Sequence, residues 1–258
     1  MSDDCLNEVR SINFSDLIAN GNTASIHLID HKVYKIFNKN LPSDEAIREA
    51  RKQRYAYASG LRVPQVFDVV EMNGQQCIVM EHIQGRTLGE LAFEEMNQME
   101  SYLRTSVGVQ QQIHLVKADF IDPMLFKLQR QIESADFLNH IQKEALVKRL
   151  SDLSGESQLC HGDFHFYNLI SSNNEIVILD WIDASAGNPA ADVYRSYLLY
   201  TQVSDQIAEL YLNLYCETSS IPRDEIIEWA PVIAGARLSE HVQSESPERL
   251  LEIVNRFC

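Results

Sequence analysis

The sequence predicts an α+β protein of two lobes, a strand-rich first lobe with one main helix and a mostly helical second lobe. Three observations predict it. Short alternating strands fill roughly the first eighty residues, helical periodicity governs most of the chain after Thr87, and one small pair of strands interrupts the helices around Cys160 and Asp180. A chain of 258 residues is long enough for one large domain or two lobes with sizeable cores. The boundary is expected within residues 81–88, giving a first lobe of residues 1–83 and a second of residues 84–258.

Each element has a local cause. "SIHLID" and "KVYKIF" alternate with period two and are joined by the turn-like "DHK". "LPSDEAIREARKQRYAYASG" reads as a helix with Ser43 as N-cap, Asp44 and Glu45 in its first turn and Gly60 as its stop. Asn73-Gly74 between two apolar runs is the strongest short hairpin signal a sequence offers. Thr87 and Glu90 fit a capping box at the start of the helical region. Asp122-Pro123, Asn188-Pro189 and Ser246-Pro247 each read as an N-cap followed by proline in the first helical turn. "SSNN" joins the two late strands.

The bulk numbers exclude several classes. A formal net charge of -15 argues against nucleic-acid binding, because a phosphate backbone needs a basic footprint. The five cysteines are widely spread with no C-x-x-C pair, which argues against structural zinc and a disulfide framework and for a reducing cytoplasm. The N-terminal "MSDDCLNEVR" is acidic and lacks the apolar segment of a signal peptide. No apolar run approaches the roughly 18 residues of a membrane span.

The chemistry concentrates in "LCHGDFHFYNLI". His161, Asp163 and His165 could be metal ligands. Against zinc, Gly162 and the aromatic, β-prone "FHFYNLI" do not form the helix that would set two histidines four apart on one face. A phosphotransfer reading uses more of the chain. Such chemistry needs positioned phosphates, a divalent cation and a carboxylate beside the attacking hydroxyl. The parts occur in kinase order: the small-residue loop "ANGNTAS", Lys35 on a strand, Glu49 on the next helix, Asp163-x4-Asn168, and Asp180 at a strand end. Glu45, one turn from Glu49, is the rival partner for Lys35.

"HGDFHFYNLI" followed by "VILDWIDASAGNPAAD" resembles the aminoglycoside phosphotransferase family, the small-molecule branch of the protein-kinase-like fold, which includes choline and homoserine kinases. Protein kinases have Arg after the loop histidine and Phe-Gly after the metal-binding Asp; here those places hold Gly162 and Trp181. The resemblance implies a bilobal kinase-like fold whose first lobe binds ATP, or GTP, with Mg2+. It implies that Asp163 aligns the acceptor hydroxyl and that Asn168 and Asp180 hold magnesium. Lys35, fixed by Glu49, would contact the phosphates under the amides of Gly21, Asn22, Thr23 and Ala24. Backbone groups of Glu81 and Ile83 would read the adenine edge with Met80 flanking the ring, and Asp192 would support the loop near His161.

The resemblance does not name the acceptor. Acids after Asp192, among them Glu209, Glu240 and Glu245, fit either a solvated surface or steering of a cationic acceptor. Tyr194, Tyr197 and Tyr200 fit either core packing or a cage for a quaternary ammonium group. Asp183 reads equally as a substrate contact or an exposed acid, and His165 as an orienting or packing residue. The expected activity is phosphate transfer to a small-molecule hydroxyl, with choline, amino-alcohol or sugar kinases as variants. A nucleotide-binding pseudokinase interaction module is the rival from another class. The pair Asp180-Trp181 disfavours a protein acceptor.

Overall fold

The structure, a computed structural model, describes residues 17–21, 23–153 and 155–257. The chain divides into two units, residues 1–85 with 177–182, and residues 86–176 with 183–258. The first unit therefore reclaims six residues from late in the sequence. Among the described residues no helix is long and apolar enough to cross a membrane.

The first unit is an antiparallel sheet of β1 (Leu17–Asn20), β2 (Ala24–Ile29), β3 (Lys32–Phe37), β4 (Val66–Met72) and β5 (Gln75–Glu81), in the order β1-β2-β3-β5-β4, with helix α1 (Glu45–Ala58) between β3 and β4 in sequence. Both expected two-residue turns form, because residues with φ > 0 match the twist of the strands: Asp30 and His31 at 48° and 62°, Asn73 and Gly74 at 53° and 72°. Alternation sorts β3 and β5 into two faces. Phe37, Ile78 and Met80 pack with Ala46 and Ala50 of α1, while Ile36, Cys77 and Val79 form a second cluster. Lys35 lies between Val33 and Phe37 on the helix-covered face, which carries its amine toward α1. The buried residues of α1 (Ala46, Glu49, Ala50, Gln53 and Ala56 among them) recur at helical spacing. Gly60, with φ 85°, follows the helix end, as its sequence position predicts.

The second unit begins with β6 (Arg86–Thr87) and α2 (Leu88–Glu94), followed by α3 (Met99–His114), α4 (Met124–Ser134) and α5 (His140–Leu153). Next come β7 (Gln158–Cys160), β8 (Leu169–Ser172) and β9 (Glu175–Ile178), the last two joined at Asn173 and Asn174, whose φ values are 49° and 66°. β10 (Ser185–Gly187) pairs antiparallel with β7 in the register Ser185 to Cys160. Helices α6 (Pro189–Tyr200), α7 (Asp205–Thr218), α8 (Arg223–Ile227), α9 (Ala230–Arg237) and α10 (Pro247–Asn255) complete it. Its core holds the fully buried Tyr211, Tyr215, Trp229 and Phe164.

Two helix starts differ from the sequence expectation. The N-cap of α1 is Asp44, not Ser43, because Pro42 already opens a turn: its carbonyl accepts from the Glu45 amide at 3.2 Å. Pro123, not Asp122, precedes α4. The Asp122 carbonyl accepts from the Ala186 amide at 2.9 Å, and this bridging contact keeps the segment extended. The other starts stand as read. Thr87 and Glu90 form the reciprocal capping box, and Asn188 and Ser246 cap α6 and α10. Thr87→Ala removes the acceptor for the Glu90 amide and is expected to lower stability by about 1 kcal/mol. Urea unfolding followed by circular dichroism measures this.

Candidate active site

In the first unit, Lys35 Nζ stands 2.7 Å from Glu49 Oε1 and 3.1 Å from Asp180 Oδ1. Glu45 instead pairs with Arg48, one turn further along α1. Burial alone would lower the Lys35 pKa; the charges of Glu49 and Asp180 outweigh it and hold the ammonium above its ordinary value. Glu49 Oε2 is buried with no hydrogen-bond partner among the described residues, so the carboxylate answers the lysine alone. Asp180 has φ 58°, a left-handed turn that ends the strand segment, and its side chain keeps 40% exposure. One carboxylate oxygen therefore meets Lys35 while the group stays open to solvent. Beside it Trp181 is fully buried and donates from Nε1 to the Ile178 carbonyl at 3.3 Å, and Lys52 donates to the Ile182 carbonyl at 2.5 Å. These contacts fasten residues 177–182 to the first unit.

The small-residue loop is shorter than expected. β1 runs to Asn20 and β2 begins at Ala24, and the Gly21 amide donates to the Ala24 carbonyl at 2.9 Å. The strand pairing thus occupies Gly21, which corrects its expected role as a phosphate donor; Asn22 lies outside the described residues. Thr23 uses its carbonyl to accept from the Asn38 amide. At the far end of the sheet, the Glu81 amide donates to the Gln65 carbonyl at 2.9 Å. Met80 is buried in the core cluster, where Gln53 Nε2 approaches its sulfur at 3.7 Å. Ile83 follows the strand and is half-buried.

In the second unit, the loop after β7 holds Asp163 and Asn168. Asn168 Nδ2 donates to the Asp163 carbonyl at 2.8 Å, so the nitrogen end of the amide is turned to the loop backbone. His165 Nε2 lies 3.4 Å from Asp163 Oδ2, while its Nδ1 accepts from the Tyr167 amide at 3.2 Å. His161 is buried, and its Nδ1 accepts from the Asp163 amide at 3.3 Å. The two histidines thus point their nitrogens into the loop. Among the described residues no group of three or more His, Cys, Asp or Glu gathers as a ligand set.

Helix α6 grips this loop from below with two residues one turn apart. Asp192 Oδ1 accepts from the Gly162 amide at 2.6 Å, and Arg195 Nε donates to the Gly162 carbonyl at 3.2 Å. The peptide must be glycine: φ is 82°, and a Cβ there would meet the Asp183 carbonyl oxygen at 2.4 Å. The other Asp192 oxygen lies 3.0 Å from His114 Nε2 and 3.1 Å from Gln110 Nε2; His114 Nδ1 in turn meets the Tyr215 hydroxyl at 2.8 Å. Burial pushes the Asp192 pKa up, but this ring of donors dominates and brings it down to about 2. Asp163 behaves alike. Burial raises it, and the His165 contact with the Arg195 charge 3.7 Å away outweighs burial, holding the carboxylate well below its usual range.

Sequence reasoning missed Arg195, a buried cation whose second partner is Glu240 at 2.9 Å. Its spacing of three from Asp192 on a helix was the available signal. It also missed Lys127, which pairs with Asp183 at 2.6 Å and so removes Asp183 from the free acids. Glu240 and Glu245 are likewise engaged, with Arg195 and Arg237 and with Arg249, and Glu209 pairs with Arg223. Tyr194 and Tyr200 are buried; the Tyr194 ring lies tilted against Tyr197, and Tyr200 meets Phe166 edge-on.

The comparisons with known proteins agree with this arrangement. The model of the phosphotransferase enzyme family, APH, matches residues 18–229, and the chain belongs to that family. Solved structures share the protein-kinase-like fold. One is a thermostable mutant of the aminoglycoside phosphotransferase APH(4)-Ia in complex with ADP and hygromycin B, with TM-score 0.68 and 13% identity over 93% of this chain and 92% of that one. Another is the choline kinase LicA from Streptococcus pneumoniae, with TM-score 0.65 and 19% identity over 94% and 93%. Among curated proteins, acyl-CoA dehydrogenase family member 11 of Homo sapiens is 26% identical over 69% of this chain, and that of Gallus gallus is 26% identical over 59%. The chain spans about a quarter of the length of these relatives.

Two outcomes are expected from the loop geometry. Ionised Asp192 stabilises the fold above its unfolded pKa near 3.8, by about 2 kcal/mol, and that stability is lost as pH falls from about 4 toward about 2. Urea unfolding across that window is expected to show the loss in the wild type and a flatter profile in Asp192→Asn. Removing the neighbouring cation in Arg195→Met is expected to move the Asp163 titration upward, read from its carboxyl resonance by carbon-detected NMR.

Proposed function

We propose that this protein transfers the γ-phosphoryl group of a nucleoside triphosphate, ATP or GTP, to a hydroxyl of a small molecule. The observation that carries the reading is the buried Lys35 held between Glu49 and Asp180. A lysine fixed in place and kept charged by two carboxylates is a preorganised partner for phosphate oxygens, and it keeps a third N–H for them. Its family membership supports the same reaction class.

The roles follow from the chemistry of each group. Thr23 and Ala24, at the tip of the β1–β2 turn, would offer backbone amides to the phosphates. Buried Met80 would back the adenine ring, with the Glu81 carbonyl and the Ile83 backbone available to its edge. Asp180 and Asn168 would each offer the hard oxygen that a magnesium ion takes: a half-open carboxylate in the first unit, and in the second the oxygen of an amide whose nitrogen is already engaged. Magnesium, when bound, neutralises charge on the phosphate oxygens. Asp163, ionised and held between His165 and Arg195, would accept a hydrogen bond from the acceptor hydroxyl and align its oxygen for in-line attack. As an anion of low basicity it suits orientation more than early proton removal; the proton would pass to its carboxylate late, as the new P–O bond forms and the bond to the departing nucleoside diphosphate breaks. His161 and Asp192 keep the loop in shape. The free thiols at Cys77, Cys160 and Cys216 support a reducing, cytoplasmic setting.

Asp163→Ala is expected to lower phosphate transfer by about a hundredfold or more while leaving magnesium–nucleotide affinity unchanged. A coupled ATP-consumption assay over alcohols, amino-alcohols, sugars and aminoglycosides, paired with calorimetric nucleotide binding, measures both. Transfer that survives removes Asp163 from the mechanism. Asp180→Ala is expected to abolish the gain in nucleotide affinity that magnesium gives. Wild-type affinity indifferent to magnesium, with no turnover on any acceptor, identifies a nucleotide-binding module instead of an enzyme.

A further inference from the structure

The second unit contains a cavity of about 460 Å³ lined by residues from α2, from the catalytic loop and from the end of α6 through the first turn of α7. Its size suits a small organic ligand. Its walls are apolar: Phe93 and Met96 on one side, Leu199, Tyr200 and Val203 on the other, with Tyr167 across the end. Several of these are large apolar side chains left open to solvent, Phe93 at 79%, Met96 at 60% and Val203 at 76%. A soluble chain keeps such side chains together where something covers them.

The charge of the lining is the decisive feature. The protein carries 37 Asp and Glu residues and a net charge of -15, yet none of the residues lining this cavity is Asp, Glu, Lys or Arg. Its polar groups are neutral amides and hydroxyls, Gln202, Ser204 and Gln206, with His165. No lining carboxylate stands ready to neutralise a cation taken into the cavity, so an uncharged body enters it at the lower desolvation cost.

The wall nearest the chemistry is His165, whose Nε2 lies 3.4 Å from Asp163 Oδ2. The next wall residue, Tyr167, lies flat over Gly89 at the start of α2. A Cβ on Gly89 would stand 2.7 Å from the tyrosine ring, so the glycine is what lets the ring close that end.

We infer that this cavity takes the apolar body of the acceptor, and that the acceptor is a neutral, hydrophobic alcohol whose hydroxyl reaches Asp163 past His165. The inference rests on the phosphotransfer reading for the fate of the hydroxyl, and on the cavity itself for the class of the body. It favours the neutral side of a choice that the acids and the tyrosines had left open.

Calorimetric titration of the whole protein with linear primary alcohols from butanol to decanol tests the pocket, together with choline and its neutral isostere bearing a tert-butyl group in place of trimethylammonium. Affinity is expected to rise roughly threefold to fourfold per methylene over the shorter members. The neutral isostere is expected to bind roughly tenfold more tightly than choline. Val203→Trp, which fills the cavity from an exposed position, and Leu199→Glu, which sets a carboxylate in its wall, are each expected to weaken the alcohols by about tenfold. Affinity independent of chain length, equal binding of choline and its isostere, or indifference to both substitutions overturns the pocket. The same alcohols are then supplied with magnesium and ATP. Binding with the expected dependences but without phosphate transfer upholds the pocket and overturns the transfer reading. Transfer that neither substitution affects upholds the reaction and overturns the pocket.

Discussion

The loop of the second unit depends on one buried carboxylate. Asp192 is surrounded by donors from three directions: the Gly162 amide, Gln110 and His114. Such a group is costly to bury unless its lone pairs are answered, and here the answering groups come from α3 and the loop itself. The carboxylate therefore acts as a joint. It ties the backbone bearing Asp163 to the largely buried α6, and Arg195 completes the grip at the carbonyl of the same residue, Gly162. A loop that turns through a left-handed Gly162 is held in shape by a joint that lies inside the core and not on the surface.

The first unit solves a different problem, how to keep a charged lysine inside a sheet. Strand alternation sends Lys35 to the face covered by α1, and helical spacing places Glu49 opposite it. Asp180, arriving from a distant part of the sequence, closes the group. The aliphatic stem packs near the Phe37 ring, with Nζ 5.5 Å from its centroid. Glu49 is fixed by its helix and Asp180 by the left-handed turn after β9, so the charge is held by preset partners, which is the condition for it to meet a ligand without rearrangement.

Local rules made much of this legible. The hairpins at Asp30-His31 and Asn73-Gly74, the capping box at Thr87, and the caps at Asn188 and Ser246 are each set by a few neighbouring residues, and each forms as read. The order of Lys35, Glu49, Asp163, Asn168 and Asp180 was readable because kinase chemistry places those types in that succession. What escaped was decided by distant partners. Asp122 looked like a helix cap until the Ala186 amide claimed its carbonyl. Glu240 looked like a surface acid, and Asp183 fitted exposure as well as substrate contact; the first lies against Arg195 and the second against Lys127. Gly21 looked free to cradle phosphate, and its amide closes its own turn. In each case the sequence shows a group's chemistry and not who reaches it first.

Gly162 also decides where a positive charge beside Asp163 can come from. Where protein kinases carry an arginine beside the loop aspartate, this chain has a left-handed glycine against the Asp183 carbonyl, with no room for any side chain. The positive charge near Asp163 instead rises from α6 as Arg195. The two solutions cannot be exchanged one residue at a time. Installing the loop arginine collides with backbone, and removing the helical one strips the carboxylate of its cation. The cation beside Asp163 must therefore be supplied from outside the loop, and the backbone at Gly162 is what imposes that.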